Sequence, residues 1–467
     1  MFQKSHLSPR LTAELKRIEQ YGVFHVTLFF EDQLGDTNSA RIHLRPADNQ
    51  AATRQPSLVF INGDMVIPLG FAWTVLLANF IEQIKQTEDY DLTEQMFDDI
   101  LDDTISHCKT IFIKTSESKL RKDLENIINT IIDISQGEIP DAQIGQISIR
   151  DYASNMHAPD RMDLLISAIS KDGTWNCNQC CSECYAAGQH EAEAPELSTE
   201  DWKKVITECR KNGIPQLTFT GGEPTLRSDL VELVESAQWF VTRLNTNGLL
   251  LTRELCNQLH EASLDVVQIT LYSHIESVHN RITKGDWKST VEGIKNALDA
   301  GLVVSINTPL CATDQDYVGT LEFLYELGIC FCSCSGLIKT GAAQDSTDLD
   351  EDYIIETLEK AAIFADEHCM EISFTSPGVI EELDLLSTGL TSVPMCGACL
   401  SNMAIAPNGD VVPCQSWLSP GFSLGNILTD DWGDIWNHDL ARSIRAMDDE
   451  QALICPFRSG MFAEEVV

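Results

Sequence analysis

The chain has 467 residues, 43% of them hydrophobic, a length that points to about two to four domains with ample apolar core. With 32 basic against 71 acidic residues its net charge is -39, which repels a phosphate backbone and an anionic lipid surface, so neither nucleic acid nor membrane is an expected partner. No apolar run nears the ~18 residues of a membrane span and no signal-peptide core follows Met1, so the sixteen cysteines read as metal ligands and reduced thiols of a cytoplasmic protein, not as a disulfide framework.

Residues 1–150 read as an α+β domain. Helical spacing over 11–18 leads into strand-like stretches at 23–30 and 40–44, with no pattern that carries chemistry before residue 55. From Ser57 a hairpin is expected, with arms at 58–61 and 65–67 turned by Asn62, Gly63 and Asp64. Apolar residues at helical spacing follow over 72–84, 92–105 and 120–134, so the order is a hairpin and then three helices. Residues 140–160, with Pro140, Gly145, Asn155 and Pro159, read as a linker.

A new regime begins at Met162, where the apolar stretch 164–169 reads as a strand. From its end hangs a loop with Cys177, Cys180, Cys181 and Cys184, three of them in the spacing Cys177-x3-Cys181-x2-Cys184. Three thiolates so spaced can hold three irons of a 4Fe-4S cube and leave the fourth iron open to a small chelating ligand. Zinc remains an alternative, because Cys181 and Cys184 could pair with Cys396 and Cys399. Ser198 or Thr199 then caps a helix, and strands at 216–220, 240–245, 266–271, 303–307 and 330–334 alternate with helices at 230–238, 253–262, 289–300 and 320–328. With the first strand this makes six βα units, hence a parallel sheet whose ligands gather at the C-terminal strand ends.

Chemistry-bearing residues stand at those ends. Gly221, Gly222 and Glu223 follow the second strand, where glycines admit a ligand close to backbone and a carboxylate can accept from an ammonium. Asn247 follows the third strand, Thr270 ends the fourth, Arg281 lies eleven residues on, and Asn307 ends the fifth. Ile338 lies in the Gly336 to Gly341 turn after the sixth. Cys330, Cys332 and Cys334 alternate and so share a face, as small thiols packing the interior or as groups beside a substrate. Residues 346–390 read as a helix-and-strand bridge. Residues 391–467 carry Cys396, Cys399, Gly409, Cys414 and Cys455, with a hairpin turned by Asn408 and Gly409 that returns Cys414 toward the first two cysteines. These four thiols suit one 4Fe-4S cluster or a structural zinc.

The loop at Cys177, Cys181 and Cys184, with Gly221-Gly222-Glu223-Pro224 and the later strand-end residues in order, resembles the radical S-adenosylmethionine (SAM) superfamily. The segment from Cys396 to Cys414 resembles the SPASM and twitch auxiliary domains, and residues of about 57–140 are similar in pattern to the recognition element of RiPP (ribosomally made peptide) maturases. The resemblance implies an α/β fold, with a partial (β/α)6 barrel over 160–345 between an N-terminal α+β cap or recognition domain and a twitch/SPASM-like domain over 391–467. It implies a SAM-binding 4Fe-4S cluster on Cys177, Cys181 and Cys184, and one auxiliary 4Fe-4S cluster on Cys396, Cys399, Cys414 and Cys455. Gly221, Gly222 and Glu223 would then meet the SAM amino group, Asn247 and Thr270 the sugar, Arg281 the carboxylate, and Ile338 the adenine. Glu183 stands where the family usually has an aromatic residue, which leaves the local packing of the cluster open.

The activity so implied is reductive cleavage of SAM and hydrogen abstraction from a precursor peptide with a leader, leaving a crosslink, thioether, epimer or oxidised residue. A low-potential donor such as ferredoxin or flavodoxin would supply the electron. A sulfatase-maturase-like dehydrogenase of a protein Ser or Cys is the second reading, and a zinc-stabilised, non-enzymatic binding module the third. Tyr272, His274 and His279 lie near a functional strand end, and none is singled out as a general base.

Overall fold

The computed structural model describes residues 8–21, 25–31, 37–46, 57–61, 65–86, 94–135, 156–167, 176–186, 196–390, 393–418 and 420–462. Contacts divide the chain into two compact units, one built on Met1–Asn155 and the other on Met156–Gln238 with Thr242–Val467.

In the first unit, α1 (Pro9–Tyr21) precedes an antiparallel meander in the order β1 (His25–Glu31), β2 (Thr37–Arg45), β3 (Ser57–Ile61) and β4 (Met65–Leu69). Three helices follow, α2 (Phe71–Lys85), α3 (Glu94–Ile111) and α4 (Glu117–Ser135), so the expected hairpin and three helices are present. The expected turn at 62–64 and most of the expected linker lie outside the described residues. Helix α2 is buried without a break from Thr74 to Glu82, as befits a helix apolar on nearly every face. Its one buried charge, Glu82, is tolerated because Arg17 of α1 meets it through two hydrogen bonds of 2.7 and 2.8 Å while also binding Glu14.

The second unit is a nine-stranded sheet in the order β11-β10-β9-β8-β7-β6-β5-β12-β13. Six strands match the six expected: β5 (Arg161–Leu165), β6 (Gln216–Thr220), β7 (Val241–Thr246), β8 (Val266–Thr270), β9 (Val303–Pro309) and β10 (Phe331–Ser335). Between them run α5 (Thr199–Lys211), α6 (Leu230–Ser236), α7 (Arg253–Glu261), α8 (Glu276–Thr283), α9 (Trp287–Asp299) and α10 (Tyr317–Glu326). Ser198 caps α5 by accepting from the Asp201 N–H. Strand pairing is parallel from β11 through β7, and between β6, β5 and β12, as helical crossovers require.

The structure departs from the expected layout in three places. The first strand runs over 161–165 and not 164–169, because Arg161 and the buried Asp163 pair at 2.9 Å inside the ladder and make a charged segment fit for burial. Beyond the sixth strand, the bridge supplies α11 (Glu351–Glu367) and a seventh parallel strand, β11 (Glu371–Phe374), followed by α12 (Glu382–Ser387). At the opposite end of the sheet, β12 (Asn402–Ile405) pairs in parallel with β5, and β13 (Val411–Val412) closes the expected hairpin against it. Cys332 and Cys334 are buried as small core thiols, whereas Cys330 precedes β10 and is exposed.

Candidate active site

At the C-terminal end of β6 the chain turns through Gly221 and Gly222 against the start of the cysteine loop. Gly221 has φ +138°, and a Cβ there would meet the Ser167 backbone at 2.8 Å. A Cβ on Gly222 would sit 2.4 Å from the Asn176 carbonyl oxygen. This close approach lets the Asn176 carbonyl accept from the Glu223 N–H at 2.9 Å and from the Ser167 hydroxyl at 2.8 Å. Two glycines therefore fasten the residue before Cys177 to the end of the sheet.

Glu223 is 1% exposed, and its carboxylate accepts four hydrogen bonds. Thr225 donates its N–H and its hydroxyl at 3.0 and 2.5 Å, the Thr246 hydroxyl at 2.7 Å, and the Asn247 N–H at 2.8 Å. Burial pushes its pKa above the ordinary carboxylate value, and these donors pull it back in part. Glu223, expected to meet a ligand amine, is thus a clamp between the ends of β6 and β7.

Asn247 carries the clamp on to the cysteines. Its Nδ2 donates to Asn178 Oδ1 at 2.7 Å and lies 3.8 Å from Cys177 Sγ, while its Oδ1 accepts from the Leu249 N–H at 3.0 Å. The rest of the loop is pinned to the end of α8, where Thr283 and Ile282 carbonyls accept from the N–H groups of Cys180 and Ser182 at 3.1 and 2.9 Å. Gln179 lies between the thiols: its N–H donates to Cys177 Sγ at 3.4 Å and its Oε1 accepts from Cys181 at 3.5 Å. Burial raises the Cys177 thiol to about 11, with the charges of Glu223 and Cys184 adding to the rise, and raises Cys181 further, with Cys184 and Cys177 contributing.

The neighbouring thiols thus add to one another's rise, Cys184 to both Cys177 and Cys181 and Cys177 to Cys181. Two buried polar atoms of the same loop, Gln179 Nε2 and Glu183 Oε2, have no partner among the described residues. Three mutually facing soft donors with orphaned polar atoms around them fit a bound iron–sulfur group. No three of the described His, Cys, Asp and Glu side chains converge as closely as a single ion requires.

The second cysteine set lies around the β12–β13 hairpin. Gly409, at φ +92°, turns it, and Asn426 Nδ2 holds the turn through the Asn408 carbonyl and Asp410 Oδ1, both at 3.0 Å. The hairpin brings the Pro413 carbonyl onto the Cys399 N–H at 3.2 Å, while Cys396 donates its N–H to the Ala452 carbonyl, three residues before Cys455. Burial lifts the Cys414 thiol well above its ordinary value, with Cys396 and Cys455 adding their charges, and lifts Cys399, which Arg445 opposes. These four thiols too fit a shared multi-iron group. Tyr185, next to Cys184, joins the two sets: its hydroxyl donates to Gln415 Oε1 at 3.2 Å, and it packs with Cys184 on Leu165, Ala404, Val412 and Leu418.

Of the remaining expected residues, Thr270 is half-buried at the end of β8 beside Asn307, whose Oδ1 accepts from Ser333 at 3.0 Å. Ile338 is half-buried in its turn, which touches the cysteine loop where the Ala342 N–H donates to the Cys184 carbonyl at 2.9 Å. Arg281 makes none of the contacts around Glu223; it is an exposed residue of α8 with a guanidinium 2.6 and 2.7 Å from the two oxygens of Asp314. Ser167, Asn176, Gln179, Thr246 and Tyr185 escaped the sequence reading, as did Cys311, which packs on the Tyr272 cluster with Cys181. Small polar residues beside motifs carry no periodic signal, and only adjacency to Gly221 or Cys177 could have drawn attention to them.

The radical SAM superfamily profile matches residues 174–324, and the SPASM profile, an iron–sulfur cluster-binding domain, matches residues 396–456. The chain carries a radical SAM domain followed by an SPASM domain. Among its relatives are a probable GTP 3',8-cyclase of Methanopyrus kandleri, 33% identical over 36% of this chain and 54% of that protein, and a PqqA peptide cyclase of Bradyrhizobium diazoefficiens, 38% identical over 25% and 31%. An Fe-coproporphyrin III synthase of Methanosarcina barkeri is 28% identical over 58% of this chain and 74% of that protein. The first two matches thus span about half or less of the curated relatives. Among solved structures, Streptococcus suis SuiB bound to its precursor peptide SuiA superposes with a TM-score of 0.54 at 16% identity, covering 84% of this chain and 88% of that one. The likeness is one of fold, and no helix among the described residues is long and apolar enough to cross a membrane.

Proposed function

We propose that the protein is a radical SAM enzyme that installs a modification on a ribosomally made precursor peptide. The observation that supports it is a single chain of contacts: Cys177 to Asn247, Asn247 to Glu223, and Glu223 to Asn176, which gathers three separately recognised sequence motifs at adjoining strand ends. Relatives that include a peptide cyclase, and the fold shared with SuiB, point to a peptide as substrate.

In this reading Cys177, Cys181 and Cys184 hold a 4Fe-4S cluster that binds SAM, and Cys396, Cys399, Cys414 and Cys455 hold one auxiliary cluster. When bound, the catalytic cluster supplies one-electron cleavage of SAM to a 5'-deoxyadenosyl radical, the electron coming from a donor such as ferredoxin or flavodoxin. The protein's task is placement. Glu223 fixes the Asn247 backbone, Asn247 steadies Cys177, and Gly221 and Gly222 let the Ser167 and Asn176 backbone close on the end of β6. Thr270 and Ile338 offer contacts to the sugar and the base. Arg281 serves the SAM carboxylate only by leaving Asp314, so Arg281→Ala should weaken SAM binding while iron content holds.

The deciding test is anaerobic reconstitution. About eight irons per chain are expected, from two four-iron cubes. Joint replacement of Cys177, Cys181 and Cys184 by Ala should remove about half of that iron. Stoichiometric zinc without sulfide would overturn the proposal.

A further inference from the structure

Gln179, between Cys177 and Cys181, is 8% exposed, and its Nε2 has no hydrogen-bond partner among the described residues. Burying an amide in that condition costs stability, and methionine, as long and without a strong polar atom, would fill the place at no such cost. The side chain lies flat on the turn after α8: a Cβ on Gly285 would meet Gln179 Nε2 at 2.5 Å and its Cδ at 3.0 Å. Gly285 thus leaves the amide its place beside the cysteine loop. The same residue faces two thiols, because its main-chain N–H donates to Cys177 Sγ at 3.4 Å and its Oε1 accepts from Cys181 Sγ at 3.5 Å.

The contact with Cys181 holds only while that thiol carries a proton. In the radical SAM reading, on which this inference rests, Cys181 ligates iron as a thiolate, and a thiolate has no hydrogen to donate. Oε1 would then face a sulfur that presents lone pairs alone. A half turn of the amide about its last bond exchanges Oε1 for Nε2, and the orphaned donor gains the acceptor it lacks. Hydrogen bonds to the sulfurs of an iron–sulfur cluster are one of the levers that set its potential. A donor favours the reduced state, since the positive end of the N–H dipole faces the added electron.

We propose that Gln179 tunes the catalytic cluster: its side-chain amide donates to sulfur of that cluster and raises the reduction potential. The hydrogen bonds of Gln179 go to Cys177 and Cys181 and not to the second cysteine set, so the auxiliary cluster is untouched by this residue.

The test is an anaerobic redox titration of the intact protein with both cysteine sets loaded, read by visible absorbance and by the paramagnetic resonance of the reduced clusters. The wave that disappears on joint Cys177→Ala, Cys181→Ala and Cys184→Ala replacement belongs to the catalytic cluster. In Gln179→Met, which keeps the length and removes the donor, iron content should stay at the parent value and that wave alone should move. At a fixed potential the ratio of reduced to oxidised catalytic cluster should fall roughly tenfold, which is about 59 mV for one electron. Gln179→Glu, which sets a carboxylate in place of the amide, should move the wave further in the same direction. A catalytic wave at the parent potential in Gln179→Met, or an equal shift of both waves, would overturn the proposal. So would loss of the catalytic iron from both variants, which would make Gln179 a prop of the loop and not a donor to its cluster. Failure of the radical SAM reading shows separately, in a parent protein that holds no iron to titrate.

Discussion

Asn176 and Gly222 meet closely beside the cysteine loop of the candidate site. A methyl group on Gly222 would overlap the Asn176 carbonyl, which is backbone and cannot swing away. Gly222→Ala should therefore push the cysteine loop off the sheet at a cost of about 1–3 kcal/mol. In reconstituted protein this should appear as loss of roughly half the iron, since the second cysteine set has no contact with Gly222. His279 offers a second check at the same scale. It is fully buried, its Nδ1 accepts from the Tyr272 N–H at 3.3 Å, and burial lowers its pKa from 6.5 to about 4. Between those values the unfolded chain binds a proton that the folded chain refuses, so the His279 contribution to stability should fall as pH drops from about 6.5 to about 4 and be level outside that window. His279→Gln should flatten that fall by up to about 3 kcal/mol, read as the difference between the two proteins' urea midpoints across the window. An equal pH slope in both would remove His279 from the account.

Motif residues were legible because their types are constrained: only glycine tolerates the φ of Gly221 or the closeness at Gly222, and only a carboxylate gathers four donors as Glu223 does. What each residue does was less legible. Nothing in the sequence shows that the Glu223 carboxylate also gathers Thr225, Thr246 and Asn247 around it. The same limit applies to Arg281, whose partner Asp314 lies 33 residues away.

Among elements, the central strands were legible because apolar runs of five to seven residues recur between helical stretches, and their bounds fall within a residue or two of expectation. The short elements were not. Strand β11 has four residues and β13 two, too few to show a period of two above background. The joining element between the two cysteine sets is Tyr185 with Gln415, which no periodicity could reveal. Tyr185→Phe keeps the ring in its apolar bed and deletes one hydrogen bond, so the loss should be about 1 kcal/mol in thermal or denaturant unfolding. A loss several times larger would mean that the hydroxyl, and not the ring, anchors the loop to the hairpin.

For the whole molecule, the two units suggest a division of labour. The first unit holds no residue of the candidate site, and its hairpin followed by three helices is similar in pattern to the recognition element of RiPP maturases. If it captures the substrate's leader, tethering presents the modifiable part of the peptide at roughly millimolar local concentration. Removal of residues 1–150 should then leave SAM cleavage by the reduced protein intact and cut peptide modification sharply, measured with the same precursor in both assays. Modification at the parent rate and affinity by the shortened protein would move the docking surface to the SPASM domain.

The pairing of β12 with β5 sets an order on synthesis. Asn402 lies opposite Arg161, so the strand that launches the cysteine loop waits for a neighbour emerging about 240 residues later. At roughly 5–20 residues per second that interval is about 12–50 s, during which β5 has an open edge beside an unfinished sheet. The nascent chain thus carries Cys177, Cys181 and Cys184, exposed to oxidants and stray metals, well before the hairpin that packs behind Cys184 exists. Iron delivery timed to chain release, and not to the appearance of Cys184, is what this topology favours.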